Sequence, residues 1–459
     1  MGEGGRGGGD RGSPVLLRFY PLYSLRLCSG KEDLLMLKKL WFLMIAFILL
    51  GAHSTNAQVT LHMLMEDVPE THIIKALLPD FEKETGIKVE FEIVQYLDMH
   101  SKLIPQLMGS SSEYDVLEVD NYWAGEFPAA GWLEPLDQYV ERDKFDVSAY
   151  IPSMLQMVGY YGGKLYMIPM YNYTMALIYR TDLMEDPNLK SLYEKTYGKP
   201  LAIPKTLEEY VELCKFMQKN AGVYGSAMQA GRGDPIVMEW SNYLFALGGD
   251  YYDRDKWNPT INDEKAVKAA ELYIGAVKEA APQGALSFNL DDSLRIMSQG
   301  KAFSMISYNW MVAQLNDPEK SKVAGKVAIA PMPGKDSLAG GWGWAIPRNT
   351  PHKEEAWKFI KWVESFEIAK KRALMGGAPM RADVLTDPEV IKKYPWYLTV
   401  KEILTSSKPV PEFQFSTQMV EVVGRELSLA ASGEKEIKAA LEDAAKELND
   451  LAVKANLRK

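Results

Sequence analysis

Between Val59 and Asp120 the hydrophobic period of the sequence switches back and forth, and that switching limits the possible folds more than any other feature. "VTLHML" has the apolar character of a strand. From Thr71 to Glu84 the residues Ile73, Ile74, Leu77, Leu78 and Phe81 recur at helical spacing, and Gly86 supplies a stop. Pro79 inside that stretch predicts a kink or an early break, because proline lacks an N–H to donate. "IKVEFEIV" then alternates Ile87, Val89, Phe91 and Ile93 as a strand does, a helix is expected from about Asp98 to Met108, and "YDVLEVD" ends the series as a strand. Such an order is the pattern of a parallel sheet covered by helices. Right-handed crossovers place the loops after successive strands along one edge, and open α/β sheets hold their ligands there. Here that edge carries "MEDVPE" and "VDNYWAGEF", both with carboxylates and the second with Tyr122 and Trp123.

A second region opens with strands at Leu165–Met170 and Met175–Arg180, separated by Tyr171, Asn172 and Tyr173. Helices are expected at Thr206–Lys219, Pro235–Leu247 and Asp263–Ala280, and another at Asp291–Ser298 with Asn289 as its N-cap and Gly300 as its stop. "AFSMIS" runs as a strand into Tyr308, Asn309 and Trp310, and "KVAIAPMP" reads as a further strand. In "GGWGWAIP" strand alternation sets Trp342, Trp344 and Ile346 on one side and leaves the side of Gly341, Gly343 and Ala345 nearly bare. Another backbone or a ligand must approach that bare side. Trp344 reads as core; for Trp342 a ligand platform rivals the core reading. Amphipathic helices follow at Pro351–Ser365 and at about Glu434–Ala455. With 459 residues, 47% of them hydrophobic, the chain is too long for one comfortable core, and two lobes are expected.

The first residues, "MGEGGRGGGDRGSP", have almost nothing to bury, so 1–35 read as a non-native or disordered extension. From Met36 a basic start, an apolar run from Leu40 to Leu50 and the small polar end "HSTNA" read as a secretory signal peptide spanning 36–57. The mature chain is then expected to begin near Gln58, exported to the periplasm or beyond the cell. Of the two cysteines, Cys28 precedes Met36, so Cys214 has no partner for a disulfide. The first 57 residues carry seven Lys/Arg against four Asp/Glu, which takes the net charge from −9 for the whole chain to −12 from Gln58 onward. An acidic chain of this kind is unsuited to nucleic acid.

Motifs for phosphate cradles, nucleophile elbows or zinc are absent, and His62, His72, His100 and His352 are scattered, so neither a metal nor another cofactor is expected. What recurs is an aromatic ring beside an acid, amide or guanidinium at loop ends: Asp120 with Tyr122 and Trp123, Tyr171 with Asn172 and Tyr173, Arg232 beside Gly231 and Gly233, Asn309 with Trp310. A sugar offers apolar C–H faces rimmed by hydroxyls, and its site wants aromatic plates with polar groups that reach two hydroxyls at once.

The segments "LLPDFEKETGIKVEFEIV", "YDVLEVDNYWAGEFPAAGWLEPLDQYV", "GGKLYMIPMYNYTMALIYRTDL", "GKAFSMISYNW" and "GGWGWAIPRNTPHKEEAWKFIKWVES" carry a resemblance. The chain from Gln58 to Lys459 resembles the extracellular solute-binding proteins of ABC importers, in the group of maltose- and trehalose/maltose-binding proteins. This resemblance implies a two-lobed α/β fold of the periplasmic-binding type, with a hinge and an interlobe cleft. One lobe is expected at 58–172 and 342–376, the other at 173–341 and 377–459. It implies a binder, not an enzyme, that captures a carbohydrate, closes by a hinge motion and presents it to the transmembrane permease subunits as a monomer. Matched residue by residue, the ligand set is Glu66, Asp120, Trp123, Tyr171, Asn172, Arg232, Asn309, Trp310, Gly341, Trp342 and Arg381. For Arg232 and Arg381 a salt bridge is the competing reading. A polyol, a glycerol phosphodiester or an amine stays open as the ligand, and a glycosidase as a remote alternative.

Overall fold

The computed structural model describes Trp41, residues 58–334 and residues 336–458. The expected extension and signal peptide therefore lie outside the described residues, apart from Trp41. Nine strands form the two principal sheets: β1 (Thr60–Glu66), β2 (Lys88–Val94), β3 (Val116–Asp120), β4 (Ile168–Asn172), β5 (Met175–Arg180), β6 (Tyr224–Ser226), β7 (Ala302–Tyr308), β8 (Val327–Ala330) and β9 (Gly341–Ala345). The first sheet has the order β2-β1-β3-β9-β4, the second β8-β5-β7-β6. In the first, β1 pairs parallel with β2 and β3, whereas β9 is inserted antiparallel between β3 and β4. All residues of β3, β4 and β9 are buried, as befits strands covered on both faces. The edge strand β2 keeps the half-buried alternation of Val89, Phe91 and Ile93 with exposed Lys88, Glu90 and Glu92.

Local signals mark the helix ends. Gly86 takes the left-handed conformation, with φ of 73°, after the helix Pro69–Thr85. That helix runs through Pro79 unbroken, contrary to the expected break: Ile73, Ile74 and Phe81 are buried, Phe81 against the rings of Phe359 and Trp362. Thr206, Asp263 and Asn289 cap the helices Leu207–Asn220, Glu264–Ala280 and Leu290–Ser298, and Asn289 does so reciprocally with Asp292.

Three segments pass between the two bodies and are bonded to one another. Tyr173 N–H donates to the Gly340 carbonyl at 3.0 Å, Met175 N–H to Leu338 at 2.8 Å, Ala339 N–H to Lys408 at 3.0 Å and Lys408 N–H to Ser337 at 3.0 Å. The third crossing comes later than the expected residue 377. Residues 378–381 still bond to the first body, with Ile151 N–H on the Met380 carbonyl and Asn172 N–H on that of Ala378. The helix Tyr397–Ser406 stays there too, where the Ser153 hydroxyl reaches the Leu404 carbonyl. Beyond that helix, Ser416–Ser432 and Ile437–Lys454 pack on the helices Asp234–Ala246 and Glu264–Ala280 of the second body.

The bare side of β9 is filled by protein. A Cβ on Gly341 would overlap Met380 Cε, and one on Gly343 would lie 2.7 Å from Met167 Cβ and 2.8 Å from Val158 Cγ1. Trp344, on the opposite side, is fully buried edge-on to Phe359 at 5.5 Å, and its Nε1–H donates to Glu364 Oε1 at 2.8 Å.

Candidate solute-binding cleft

Because β1 and β3 run parallel, their last residues, Glu66 and Asp120, project carboxylates from the same edge of the first sheet. Strand β9 passes antiparallel beside them. Its Trp342 pairs with Asp120 on one side and with Tyr171 on the other. The Tyr171 hydroxyl donates to Glu66 Oε2 at 3.1 Å, and the Tyr173 hydroxyl donates to Asp120 Oδ1 at 2.6 Å. An aromatic wall surrounds these acids. Trp342 stacks on Tyr171 at 6.3 Å and meets Trp123 edge-on at 5.5 Å, while Tyr96 stacks on Trp123 at 5.9 Å with an interplanar angle of 6°. These contacts bring β1, β3, β4, β9 and the start of the helix Tyr96–Met108 to one place.

The second body supplies the opposite wall. Tyr308, the last residue of β7, lies parallel to Trp310 at 6.5 Å and stands edge-on to Tyr173 at 5.5 Å. Asp234 opens the helix Asp234–Ala246, and its charge acts on Glu66 and on the phenols of Tyr96 and Tyr308. Two contacts tie the walls: the Tyr122 hydroxyl meets Met238 Sδ, and Asn121 Nδ2 donates to Glu412 Oε1 at 2.6 Å. A groove of about 520 Å³ opens between Asp67 to Ile73 and Gln314, Lys320 and Met375. A smaller one, lined by Asp291 and Leu294, shares Gln314 and Lys320 with it.

The electrostatics follow from crowding acids into a space walled by rings. Burial, then the charge of Asp120, pushes the Glu66 carboxyl up to about 8. Burial raises Asp120 to about 6 against the hydrogen bonds from Tyr173 and the Tyr122 amide. Asp234 rises to about 7 through burial and the charge of Asp120. Glu66 and Asp234 nevertheless keep partial exposure, as side chains on a cleft wall do.

The residues singled out in the sequence divide into groups. Glu66, Asp120, Trp123, Tyr171 and Trp342 are brought together. Trp310 stands behind Tyr308 on the facing wall. Asn309 is buried, and neither atom of its amide has a hydrogen-bond partner. Asn172 directs its amide N–H groups to the carbonyls of Ala378 and Pro379 at 3.1 and 2.9 Å. Gly341 turns its bare side to Met380 and donates its N–H to Asn121 Oδ1 at 3.0 Å, so it serves packing and the turn of Asn121. Arg381 is taken up by Asp383, at 3.1 and 2.7 Å, by the Glu364 carbonyl at 3.0 Å and by the Tyr150 ring, which is the salt-bridge reading. Arg232 is exposed, two residues before Asp234. Sequence reasoning holds Tyr173 only as a member of the Tyr171–Tyr173 cluster and misses Tyr96, Asp234 and Tyr308. Tyr173 and Tyr308 adjoin residues that it does single out, but an acid at the first turn of a helix is explained by the helix dipole alone.

The model of bacterial extracellular solute-binding proteins matches residues 67–370, more than half of the chain. The chain belongs to this family. As a relative, the solute-binding protein is 28% identical over 318 residues, 69% of this chain and 71% of the other, to a probable amino-acid ABC transporter periplasmic-binding protein of Sinorhizobium fredii. Among solved structures it is similar to an ABC transporter solute-binding protein of Agrobacterium radiobacter in complex with ribitol, at 28% identity and a TM-score of 0.77 over 86% of this chain and 98% of the other. It is equally similar to a maltose-bound MalE3 of T. maritima, at 26% identity and a TM-score of 0.77 over 86% of this chain and all of that one (100%). The family binds solutes and is not an enzyme family. The two-body α/β architecture of this solute-binding protein is therefore that of its relatives. Among the described residues no group of three His, Cys, Asp or Glu side chains is placed to hold a metal ion.

Proposed function

We propose that this solute-binding protein captures a carbohydrate, a di- or oligosaccharide in the first instance, and delivers it to the permease subunits of an ABC importer. The observation that carries the reading is the side-chain cluster itself, in which stacked aromatic faces from one body and Tyr308 with Trp310 from the other flank carboxylates able to accept from paired hydroxyls. The bonded crossings at 172–175, 337–341 and 406–413 act as the hinge on which the two lobes close, the first lobe being 58–172 with 342–406 and the second the remainder. Glu66, Asp120, Trp123, Tyr171 and Trp342 grip from the first lobe; Asp234, Tyr308, Asn309 and Trp310 close from the second. The protein acts as an exported monomer, and capture is the form of the fold that ligand must prefer.

A linear polyol is the second reading, favoured by the likeness to a protein solved with ribitol. A phosphodiester is disfavoured, since the groups that act on Glu66, Asp120 and Asp234 are acids, phenols and backbone amides rather than cations. Thermal unfolding across a panel of oligosaccharides, hexoses and polyols tests the proposal, because a ligand of the native state raises the transition. A panel with no stabilising member refutes it, and release of reducing ends from an oligosaccharide would show an enzyme instead.

A further inference from the structure

Asn121 follows Asp120 directly in the chain and is fully buried. Its side chain is bonded to each of the three crossings between the bodies. From the first crossing, the Tyr173 hydroxyl reaches Asn121 Oδ1. From the second, the Gly341 N–H donates to the same oxygen at 3.0 Å. On the third, Glu412 Oε1 accepts from Asn121 Nδ2 at 2.6 Å. A backbone N–H can only donate, so the Gly341 bond fixes which end of the amide is oxygen and leaves the nitrogen to Glu412. The bonds that the crossings make among themselves run from the first to the second and from the second to the third; at Asn121 all three meet. The backbone makes the same connection. A Cβ on Gly125 would lie 2.7 Å from Phe413 Cα, so the loop that carries Asn121 lies directly on the third crossing.

We propose that Asn121 is the pin of the hinge, a positioning residue that fixes the axis on which the lobes turn and joins that axis to the solute-binding carboxylate Asp120. This rests on the capture reading above. Bodies that turn about a hinge move least at the segments crossing between them, so one amide can keep its bonds to all three crossings through the motion, whereas a contact farther out must break. Leaving such bonds unmade in the interior is costly, because a crossing that drifted away would strand a buried N–H or carbonyl. Tyr173 ties the pin to the site. Its hydroxyl has one hydrogen for two acceptors, Asp120 Oδ1 at 2.6 Å and Asn121 Oδ1. A solute hydroxyl that donates to Asp120 releases that hydrogen to Asn121, and occupancy of the site then tightens the pin. Glu412 serves as a neutral acceptor, since burial pushes its carboxyl up to about 8, and a glutamine oxygen can take the same bond.

Distances between spin labels on Ser101→Cys, in the helix Tyr96–Met108 of the first lobe, and Glu271→Cys, in the helix Glu264–Ala280 of the second, test this; both positions are exposed, and Cys214 is buried. Glu412→Met and Glu412→Ala remove the acceptor and should broaden the distance distribution of the ligand-free protein. Glu412→Gln keeps the acceptor and should leave the parental width. In the first two variants a solute must supply the ordering that the pin had supplied, so titration with maltose and with ribitol should show binding weakened about fivefold, the worth of one net hydrogen bond, and parental binding in the third. Parental width in both Glu412→Met and Glu412→Ala, or a Glu412→Gln protein as broad as they are, overturns the pin and leaves solute capture standing. A parent protein that binds neither maltose nor ribitol counts against capture of those two solutes, while the ligand-free widths decide the pin.

Discussion

Trp342→Ala and Trp344→Ala, two residues apart on one strand, should both cost stability but differ in what they do to ligand affinity. Trp344 is fully buried, meets Phe359 edge-on at 5.5 Å and donates its indole N–H to Glu364. Its truncation leaves a core cavity worth about 3 to 5 kcal/mol. It also removes one of the hydrogen bonds that stabilise a buried carboxylate. Trp342 is also almost fully covered, but its neighbours Tyr96, Trp123 and Tyr171 form the cleft wall, and Tyr96 keeps partial exposure. Losing that plate takes support from the rings that would face the solute, and a loss of roughly 80 Å² of apolar contact there is worth about 2 kcal/mol at ~25 cal per Å². That corresponds to about thirtyfold in Kd. Thermal unfolding of the ligand-free protein and titration with the best ligand of the panel measure the two effects separately. Expected results are a strongly lowered midpoint with near-parental affinity per folded molecule for Trp344→Ala, and a lowered midpoint together with a lowered affinity for Trp342→Ala. A Trp342→Ala protein that binds as the parent does would refute the placement of the solute against this wall.

Arg372→Met strands Glu70 and Glu364 in the interior of the first body and should cost about 3 to 5 kcal/mol in denaturant unfolding. Gly340→Ala drives a Cβ into the ring of Tyr173; the ring must move off Asp120, so both stability, by about 1 to 3 kcal/mol, and ligand affinity should fall. Glu66 holds its proton more tightly folded, at about 8, than at its ordinary 4.5. The stability it contributes is present in full below the ordinary value and is lost as pH rises through the folded one. Glu66→Gln should therefore flatten the decline of the ligand-free midpoint between about pH 5 and about pH 8, and an unchanged slope would place the proton elsewhere.

Much of the fold is legible in the order of its residues. The strands ending in Glu66 and Asp120 and the N-caps Thr206, Asp263 and Asn289 are local matters of period and capping, decided within a few residues. Pro79 misleads for the opposite reason: the helix Pro69–Thr85 is held by packing of its buried side chains, which outweighs one missing bond. Gly341 and Gly343 announce a close approach, yet whether ligand or protein makes it depends on Val158, Met167 and Met380, which no spacing relates to them. Arg381 and Asn172 have the chemistry of ligand-binding side chains, and their partners at Asp383, Ala378 and Pro379 become visible only in three dimensions.

By itself, then, the sequence determined an α/β chain of two bodies with carboxylates and aromatic rings at the carboxyl edge of a parallel sheet, because alternation and capping act over short stretches of chain. Only the tertiary structure decided that Asp234 and Tyr308 face Glu66 and Asp120, and that Arg372 neutralises other acids while these are left without a cation. Desolvation and charge coupling depend on distance through space, and the groups that set them here lie far apart along the chain.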